Sequence, residues 1–118
     1  MIANELAHET GGRHTCDRRL SKSKLQSLYP SVNYDLIRDE YDPLWVDGIT
    51  RESMSHIVDR ASRLLTWIVK SRTSECEFVL ATHSGFLNAM FVGVLGFETG
   101  WFKTGEMRSV LIEYGPLD

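Results

Sequence analysis

The sequence predicts an α/β fold, with a mostly parallel sheet and helices on both of its faces. Two observations carry this prediction: a short unbroken apolar run at residues 78–81, and helical patterns before and after it. An unbroken apolar run suits a strand that is buried on both faces, and a helix that leads into such a strand is typical of a crossover unit. We therefore expect this run to be a strand inside the sheet.

Composition limits the classes of protein that the chain can represent. The 118 residues are 42% hydrophobic and 25% charged, with a net charge of −3 and a pI of about 5.8, which fits one globular domain and argues against a broad nucleic-acid surface. No apolar run approaches the roughly 20 residues of a membrane span, and the first residues do not resemble a signal peptide. Cys16 and Cys76 are too few for a disulfide framework or a four-ligand zinc site. We expect a soluble, cytoplasmic protein without a nucleic-acid or membrane partner.

Residues 1–19 are predicted to end in a loop that contains groups suited to an anion. Paired glycines follow Glu9, and His14 lies close to Arg13 and the two arginines at 18 and 19. Such a loop could recognise or protonate an anionic substrate, or it could be an ordinary solvated loop. No apolar strand leads into Arg13-His14, which argues against a nucleophile motif there.

The next stretch predicts a short helix and then irregular structure. Ser21 or Ser23 can cap a helix that runs towards Leu28, and Pro30 stops it. Residues 31–48 are rich in acidic side chains, but the spacing of these side chains matches no calcium loop. We therefore expect no metal site there.

A long amphipathic helix is predicted after Thr50, which is a plausible cap. Apolar residues recur at helical spacing for about five turns, namely Met54, Ile57, Val58, Ala61, Leu64, Leu65 and Ile68. Charged residues lie mostly off that stripe, namely Arg51, Glu52, Asp59, Arg60, Arg63 and Lys70. The helix is expected to pack its apolar face on the sheet and to leave His56 on its solvent side.

Residues 77–96 are predicted to form a strand, a turn and a helix that Gly96 closes. The turn, residues 82–85, is polar. In an open α/β sheet, ligands bind at such strand ends, because backbone N–H groups and the positive end of the helix dipole converge there. The turn is therefore the first candidate for a binding site.

Two interpretations of this turn compete. A serine hydrolase elbow needs Gly-x-Ser-x-Gly, but Thr82 and Phe86 stand at the glycine positions around Ser84. The alternative is that His83 acts on an anion while Gly85 lets the backbone approach a phosphate closely. On local pattern alone, His83 could equally be a strand-end histidine that hydrogen-bonds to a neighbour.

The last part of the chain predicts a loop and a strand. Residues 97–105 hold Trp101 and Phe102 among glycines, which indicates a loop with aromatic anchors, and residues 107–114 indicate a strand that Pro116 ends. No internal repeat or linker divides the chain, so one domain is expected.

An ordered series of motifs runs from about Leu6 to Tyr114, nearly the whole chain. The motifs are Arg-His-Thr-Cys-Asp-Arg-Arg, Tyr-Pro, Asp-x-x-Trp, Arg-Glu ahead of the long helix, Thr-His-Ser-Gly-Phe-Leu, and Gly-Glu-Met-Arg-Ser. This series resembles the histidine phosphatase superfamily, in particular the phosphoglycerate mutase-like phosphatases of eukaryotes. The order of the motifs makes the resemblance far more specific than any one of them.

The resemblance implies phosphomonoester hydrolysis or phosphoryl transfer, with no cofactor. The family uses a nucleophilic histidine in an Arg-His-Gly motif, a second histidine with arginines that hold the phosphoryl oxygens, and a carboxylic acid that protonates the leaving oxygen. By position, His83 resembles the second histidine and Glu9 resembles the acid. His83, Ser84 and Gly85 are then expected to bind the phosphoryl group of a small phosphorylated substrate.

Two departures from the family pattern bear on function. His8 stands where the family often has an arginine before the acid, and no Arg-His-Gly occurs in the 118 residues. Residues 1–118 therefore resemble the carboxyl-terminal part of a single histidine phosphatase-like domain, apparently truncated, with a sheet incomplete at the amino end. We expect the isolated chain to be inactive and to self-associate through its exposed strand edge. The alternative is a non-catalytic module that binds a phosphorylated ligand or a protein partner through the residual anion site.

Overall fold

The computed structural model describes residues 1–116, which form helices joined by long irregular segments. Two short 3-10 helices, Glu5–Ala7 and Thr15–Asp17, precede the α-helices. The α-helices are α1 (Lys22–Leu28), α2 (Met54–Ser71) and α3 (Ser84–Ala89), and α3 continues directly into a π-helical turn, Met90–Val94. Within this part of the chain, no helix combines the length and apolar character needed to cross a membrane.

The core lies between α2 and the helical segment that begins with α3. The predicted apolar stripe of α2 is confirmed for Ile57, Ala61, Leu64, Leu65 and Ile68, which are buried. Val58 is partly buried, and Met54, at the first turn, is 55% exposed. The buried side chains pack against Phe86, Ala89, Met90 and Phe91. Gly93 permits the close approach, since a Cβ atom there would lie 2.5 Å from a methyl carbon of Val58. The two helices thus meet without a sheet between them.

Side-chain caps fix where the helices begin. Ser21 accepts a hydrogen bond from the Lys24 N–H at 3.3 Å, which confirms one of the two predicted caps of α1. The prediction of Thr50 as the cap of α2 is wrong, because Ser53 caps the helix by accepting from the His56 N–H. Thr50 instead donates its hydroxyl to Asp47 at 2.6 Å, in a turn that precedes the helix.

Backbone pairing between strands is sparse in the described chain. Within residues 1–116, the one β pairing is an isolated parallel bridge between Ile2 and Asn33. Residues 78–81 and 107–114 adopt no regular secondary structure. The mostly parallel sheet therefore stays a prediction.

Residues 78–81 are not buried as they would be in a complete sheet. Phe78 is 49% exposed and Val79 is 89% exposed. An apolar run becomes a buried strand only when other segments pair with its edges and cover its faces, and within residues 1–116 no backbone hydrogen bond joins it to another segment. Of the predicted aromatic anchors, Phe102 packs on Phe91 at 5.3 Å between ring centroids, whereas Trp101 is exposed.

Candidate active site

The start of α3 carries the histidine that the sequence singled out. His83 is the residue before the helix, with an extended backbone (φ −120°, ψ 156°), and its carbonyl accepts from the Leu87 N–H at 2.9 Å. The residue is exposed, so its ring is accessible to a ligand. Ser84 accepts a hydrogen bond from the Phe102 N–H at 3.1 Å, which ties the loop after the helix to the site.

The Glu9 carboxylate lies against the first turn of α3. Its Oε1 atom accepts hydrogen bonds from the Thr10 N–H at 2.8 Å and from the Phe86 N–H at 3.0 Å. Glu9 and Phe86 are 77 residues apart in the sequence, so the fold has brought the two halves of the predicted site together. His83 and Glu9 also line the same groove, which has a volume of about 840 Å³.

Gly85 has a protein neighbour that the sequence did not predict. A Cβ atom at this position would lie 2.5 Å from Glu9 Oε1 and 2.8 Å from Thr10 Oγ1. The missing side chain thus allows the acid to approach the helix, and the predicted approach of the Gly85 backbone to a phosphate stays a prediction. Both are oxygen groups next to the positive end of a helix dipole, so the chemistry of the position is the same.

Residues 6–11, here called the acid loop, are bound to α2 by a buried arginine. Arg60 was predicted to lie off the apolar stripe, but it is only 4% exposed. Its Nε and Nη2 atoms donate to the two carboxylate oxygens of Glu52 at 2.7 and 2.8 Å. The remaining donors reach backbone carbonyls of the acid loop, those of Leu6 at 2.8 Å, His8 at 3.0 Å and Glu9 at 3.3 Å.

The spacing of Arg60 could have revealed its burial. It follows Ile57 by three residues and precedes Leu64 by four, which places it on the apolar face of α2. A charged residue at such a position indicates a buried partner, because a buried charge is rarely left without one. The Glu52 side chain, 6% exposed, is that partner.

The Glu52 carboxylate is held in its ionised form by its surroundings. Burial raises the pKa of Glu52, but a larger opposite effect comes from hydrogen bonds with Arg60 and the Gly11 N–H, from the charge of Arg60 and from a hydrogen bond with His56. The pKa of Glu52 therefore lies below its usual range. The His56 contact measures 2.5 Å, and His56 itself is exposed, as predicted. The pair of Glu52 and Arg60 therefore persists as an ion pair at neutral pH.

His8, the residue directly before the acid, points to Asp42. Its Nε2 atom lies 2.7 Å from the Asp42 carboxylate and its Nδ1 atom lies 2.6 Å from the Glu9 carbonyl oxygen. Both ring nitrogens thus face acceptors, and both contacts are hydrogen bonds when each nitrogen carries a hydrogen. Burial raises the pKa of Asp42, but the Arg19 N–H, the charge of His8 and further hydrogen bonds lower it more, so its pKa lies below the usual range.

One group of side chains has donor atoms suited to a metal ion. Ligand atoms of Glu5, His8 and Asp42 lie within 4.8 Å of one another. Arg19 donates from Nε to Glu5 at 2.9 Å and from its backbone N–H to Asp42 at 2.8 Å, so a protein cation already supplies positive charge there. These hydrogen bonds and the contact between His8 and Asp42 hold most of the cluster, whereas Glu5 Oε2 is buried without a hydrogen-bond partner among residues 1–116.

The Arg13-His14 pair lies in an exposed segment outside the groove that contains Glu9 and His83. His14 immediately precedes the 3-10 helix Thr15–Asp17, and both members of the pair are exposed. Cys16 and Cys76 are free thiols, and both are exposed. None of these groups contacts Glu9 or the start of α3 in the described structure.

Comparison with known proteins identifies relatives over most of the chain. The chain is 34% identical over 120 residues to "Phosphoglycerate mutase-like protein 1" of Arabidopsis thaliana, and the alignment covers 95% of this chain. It is 35% identical over 90 residues to "Phosphoglycerate mutase-like protein" of the same plant, covering 76% of this chain. It is also 35% identical over 108 residues to "Probable phosphoglycerate mutase" of Arthroderma benhamiae, covering 92% of this chain.

These relatives are much longer than the chain. It spans 42%, 32% and 31% of their respective lengths. No protein-family model matches the chain, and no solved structure matches it significantly. The relatives nevertheless bear the name of the family that the motif series resembles, and the chain therefore belongs to the phosphoglycerate mutase-like proteins of the histidine phosphatase superfamily.

Proposed function

We propose that this chain carries the acid and the second histidine of a site for phosphomonoester hydrolysis or phosphoryl transfer of the histidine phosphatase type. One observation carries the proposal: a carboxylate oxygen of Glu9 lies 3.0 Å from the Phe86 N–H, three residues after His83. Phosphoryl transfer needs such a pair in one place, because the acid protonates the leaving oxygen while the imidazole stabilises charge on the transferred group. The substrate is a small phosphorylated molecule of the cytoplasm.

His83, Ser84 and Gly85 form the proposed phosphoryl-binding segment. The first N–H groups of a helix have no partner within the helix, and the helix dipole adds positive potential there. The Phe86 N–H is bound to Glu9, so the N–H groups proposed to meet phosphoryl oxygens are those of Ser84 and Gly85. The exposed His83 ring stands directly before these groups. Its proposed role is to donate a hydrogen bond to the phosphoryl group.

Glu9 limits how tightly this chain binds an anion. Its carboxylate already accepts the Phe86 N–H, so a phosphate at the start of α3 lies next to a negative group or displaces it. Like charges at such a distance repel, which favours weak binding of the free anion. A Glu9 side chain that carries its proton is neutral, so a substrate whose leaving oxygen accepts a hydrogen bond from it meets no such repulsion before the proton is transferred.

The chain by itself has no candidate for the nucleophile. No Arg-His-Gly occurs in the 118 residues, and in-line attack needs an imidazole aimed at phosphorus from the side opposite the leaving group. His8 is bound to Asp42, His56 is bound to Glu52, and His14 lies outside the groove. We therefore expect no catalysis by the isolated chain.

Phosphohistidine mapping tests this assignment of roles. The protein is incubated with a labelled phosphate donor and quenched in alkali, and any labelled histidine is located by mass spectrometry. We expect no label, and we expect hydrolysis of generic phosphate esters no faster than by the His83→Ala variant. Label on His14 would contradict the assignment, because the Arg13-His14 pair would then be a nucleophile of a complete small enzyme.

The alternative function is a non-catalytic module that binds a phosphorylated ligand or a protein partner through the same segment. The exposed His83 ring before the first N–H groups of α3 supports this alternative as well. The nucleotide sequence upstream of the Met1 codon discriminates between the two functions. An in-frame Arg-His-Gly after an apolar strand pattern favours the enzyme, and an untranslated region there favours the module.

A further inference from the structure

We propose that Glu52 and Arg60 form a positioning pair that holds the Glu9 carboxylate against the first turn of α3. This inference rests on the proposed role of Glu9 as the acid, and it extends that role to two residues that do not themselves reach the groove. Three sets of contacts support it, one to the carbonyls of the acid loop, one to Gly11 and one to Phe86.

The first set fixes the part of the acid loop that precedes and includes Glu9. Arg60 donates to the carbonyl oxygens of Leu6, His8 and Glu9 at 2.8, 3.0 and 3.3 Å. A guanidinium presents its donors in one rigid plane, so three acceptors that share it are held in a fixed arrangement relative to one another. The backbone on the amino side of the Glu9 side chain is thereby fastened to α2.

The second set fixes the other end of the acid loop. Glu52 Oε2 accepts from the Gly11 N–H at 3.0 Å, and the Glu52 N–H donates to the Gly11 carbonyl at 2.9 Å. Glu52 also holds the Arg60 guanidinium through two parallel hydrogen bonds, a geometry that restricts rotation. One ion pair, between Arg60 of α2 and Glu52 just before that helix, therefore constrains the backbone on both sides of Glu9.

The third contact links the pair to the helix that Glu9 approaches. The Arg60 guanidinium carbon lies 5.2 Å from the centroid of the Phe86 ring, a cation–π distance, and Phe86 is fully buried. The Phe86 N–H is the α3 donor that binds Glu9 Oε1. Arg60 therefore contacts both partners of the hydrogen bond between the acid loop and α3, and it sets their separation.

Stability alone does not account for a buried ion pair at this position. Removing two charges from water is costly, and replacing a buried pair by apolar residues of similar volume is often neutral or stabilising. What a paired guanidinium and carboxylate provide, and apolar side chains do not, is a directional set of hydrogen bonds to specific backbone atoms. Here those atoms belong to residues around the acid.

The test follows the Phe86 amide by two-dimensional NMR during a pH titration, with no phosphate present. Because this amide donates to Glu9, its chemical shift should change as the carboxylate takes up a proton, and the Glu9→Gln variant should abolish that change. This control separates the effect of Glu9 from those of His83, His8 and Glu52, which also lie near Phe86 or the acid loop. Phosphate binding plays no part in the readout, so failure of the proposed function would not imitate failure of this inference.

Two variants and one matched control complete the experiment. In Glu52→Gln/Arg60→Met, which leaves no unpaired buried charge, and in Arg60→Lys, whose single ammonium cannot reach all the carbonyls, we expect loss of the pH-dependent shift of the Phe86 amide. Arg63→Met, at an exposed arginine of the same helix paired with Asp59 at 3.5 Å, should keep the full shift. The full shift in either positioning variant, with α2 and α3 still folded, would overturn the proposal.

Discussion

The acid loop and residues 78–81 line the same groove, but they are held in different ways. The acid loop is partly to fully buried and is connected to α2 through Arg60 and Glu52. It contains polar residues as well as Leu6 and Ala7, which pack against the core. Residues 78–81 are apolar and mostly exposed, and no backbone hydrogen bond joins them to another segment within residues 1–116. Polarity thus does not decide which of the two regions is buried.

The difference shows what each region needs in order to be placed. The acid loop receives its contacts from a helix that forms from its own amphipathic pattern, so its position depends on side chains present in this chain. A run such as 78–81 is placed only by pairing with other strands, and its free edges keep the capacity to pair with another chain.

The largest expected effect comes from breaking the ion pair that holds the acid loop. Arg60→Met leaves Glu52 buried without its partner, and we expect a loss of about 3 to 5 kcal/mol in the free energy of unfolding. Glu52→Gln/Arg60→Met should recover most of that loss, because no charge remains unpaired. Urea unfolding measures all three proteins, with Arg63→Met as the exposed control. A loss as small in Arg60→Met as in the control would mean that the network does not secure the loop.

A smaller effect is expected at the contact between the acid loop and α3. Gly85→Ala adds a Cβ atom 2.5 Å from Glu9 Oε1, so the carboxylate must move, and we expect a loss of about 1 to 3 kcal/mol. The Phe86 amide should also exchange with solvent faster. Gly115→Ala is the control, because no atom lies within 4 Å of an added Cβ there. Equal effects of the two substitutions would show that Glu9 does not stay at the helix.

Acid should weaken the attachment of the acid loop. The folded pKa values of Asp42 and Glu52 both lie below their usual range. Their contribution to stability is therefore complete above the unfolded values of about 3.9 and 4.3, and it is lost as the pH falls through the lower folded values. Unfolding measured from pH 7 to pH 2 should show this loss, and Glu52→Gln/Arg60→Met should lose less. An identical decline in both proteins would exclude a contribution from Glu52.

The smallest effect on stability is expected in the exposed run. Val79→Glu should change the free energy of unfolding by no more than about 0.5 kcal/mol, because Val79 is 89% exposed. The same substitution should reduce self-association, since a charge on an exposed strand edge opposes pairing with a second chain. Sedimentation of both proteins tests this. A monodisperse, cooperatively unfolding wild-type monomer would contradict the predicted self-association.

The sequence predicted the helices of the fold well, because helical periodicity depends on residues within one segment. The stripe of α2 and the helix that begins at Ser84 were both expected. The sequence could not show whether residues 78–81 are covered, since an apolar pattern shows what a segment could bury and not whether other segments cover it. The sheet itself stays a prediction for the same reason.

The candidate site was predicted in part. His83 and Glu9 were identified through the resemblance to a family, and Glu9 lies at the start of the helix that His83 precedes. Glu52 and Arg60 were missed because charged residues on an amphipathic helix were expected to face water. The spacing of Arg60 shows that it lies on the apolar face, but its contacts with residues 6–11 depend on the overall fold, which no pattern within α2 contains.

The start of α3, next to Glu9, is the proposed site for a phosphoryl group. The most direct test is an NMR titration of the His83 ring and the Ser84 and Gly85 amides with inorganic phosphate, with His83→Ala as the control. We expect weak, saturable shifts of these resonances at millimolar phosphate, and smaller amide shifts in His83→Ala. Resonances that do not move at millimolar phosphate would contradict it.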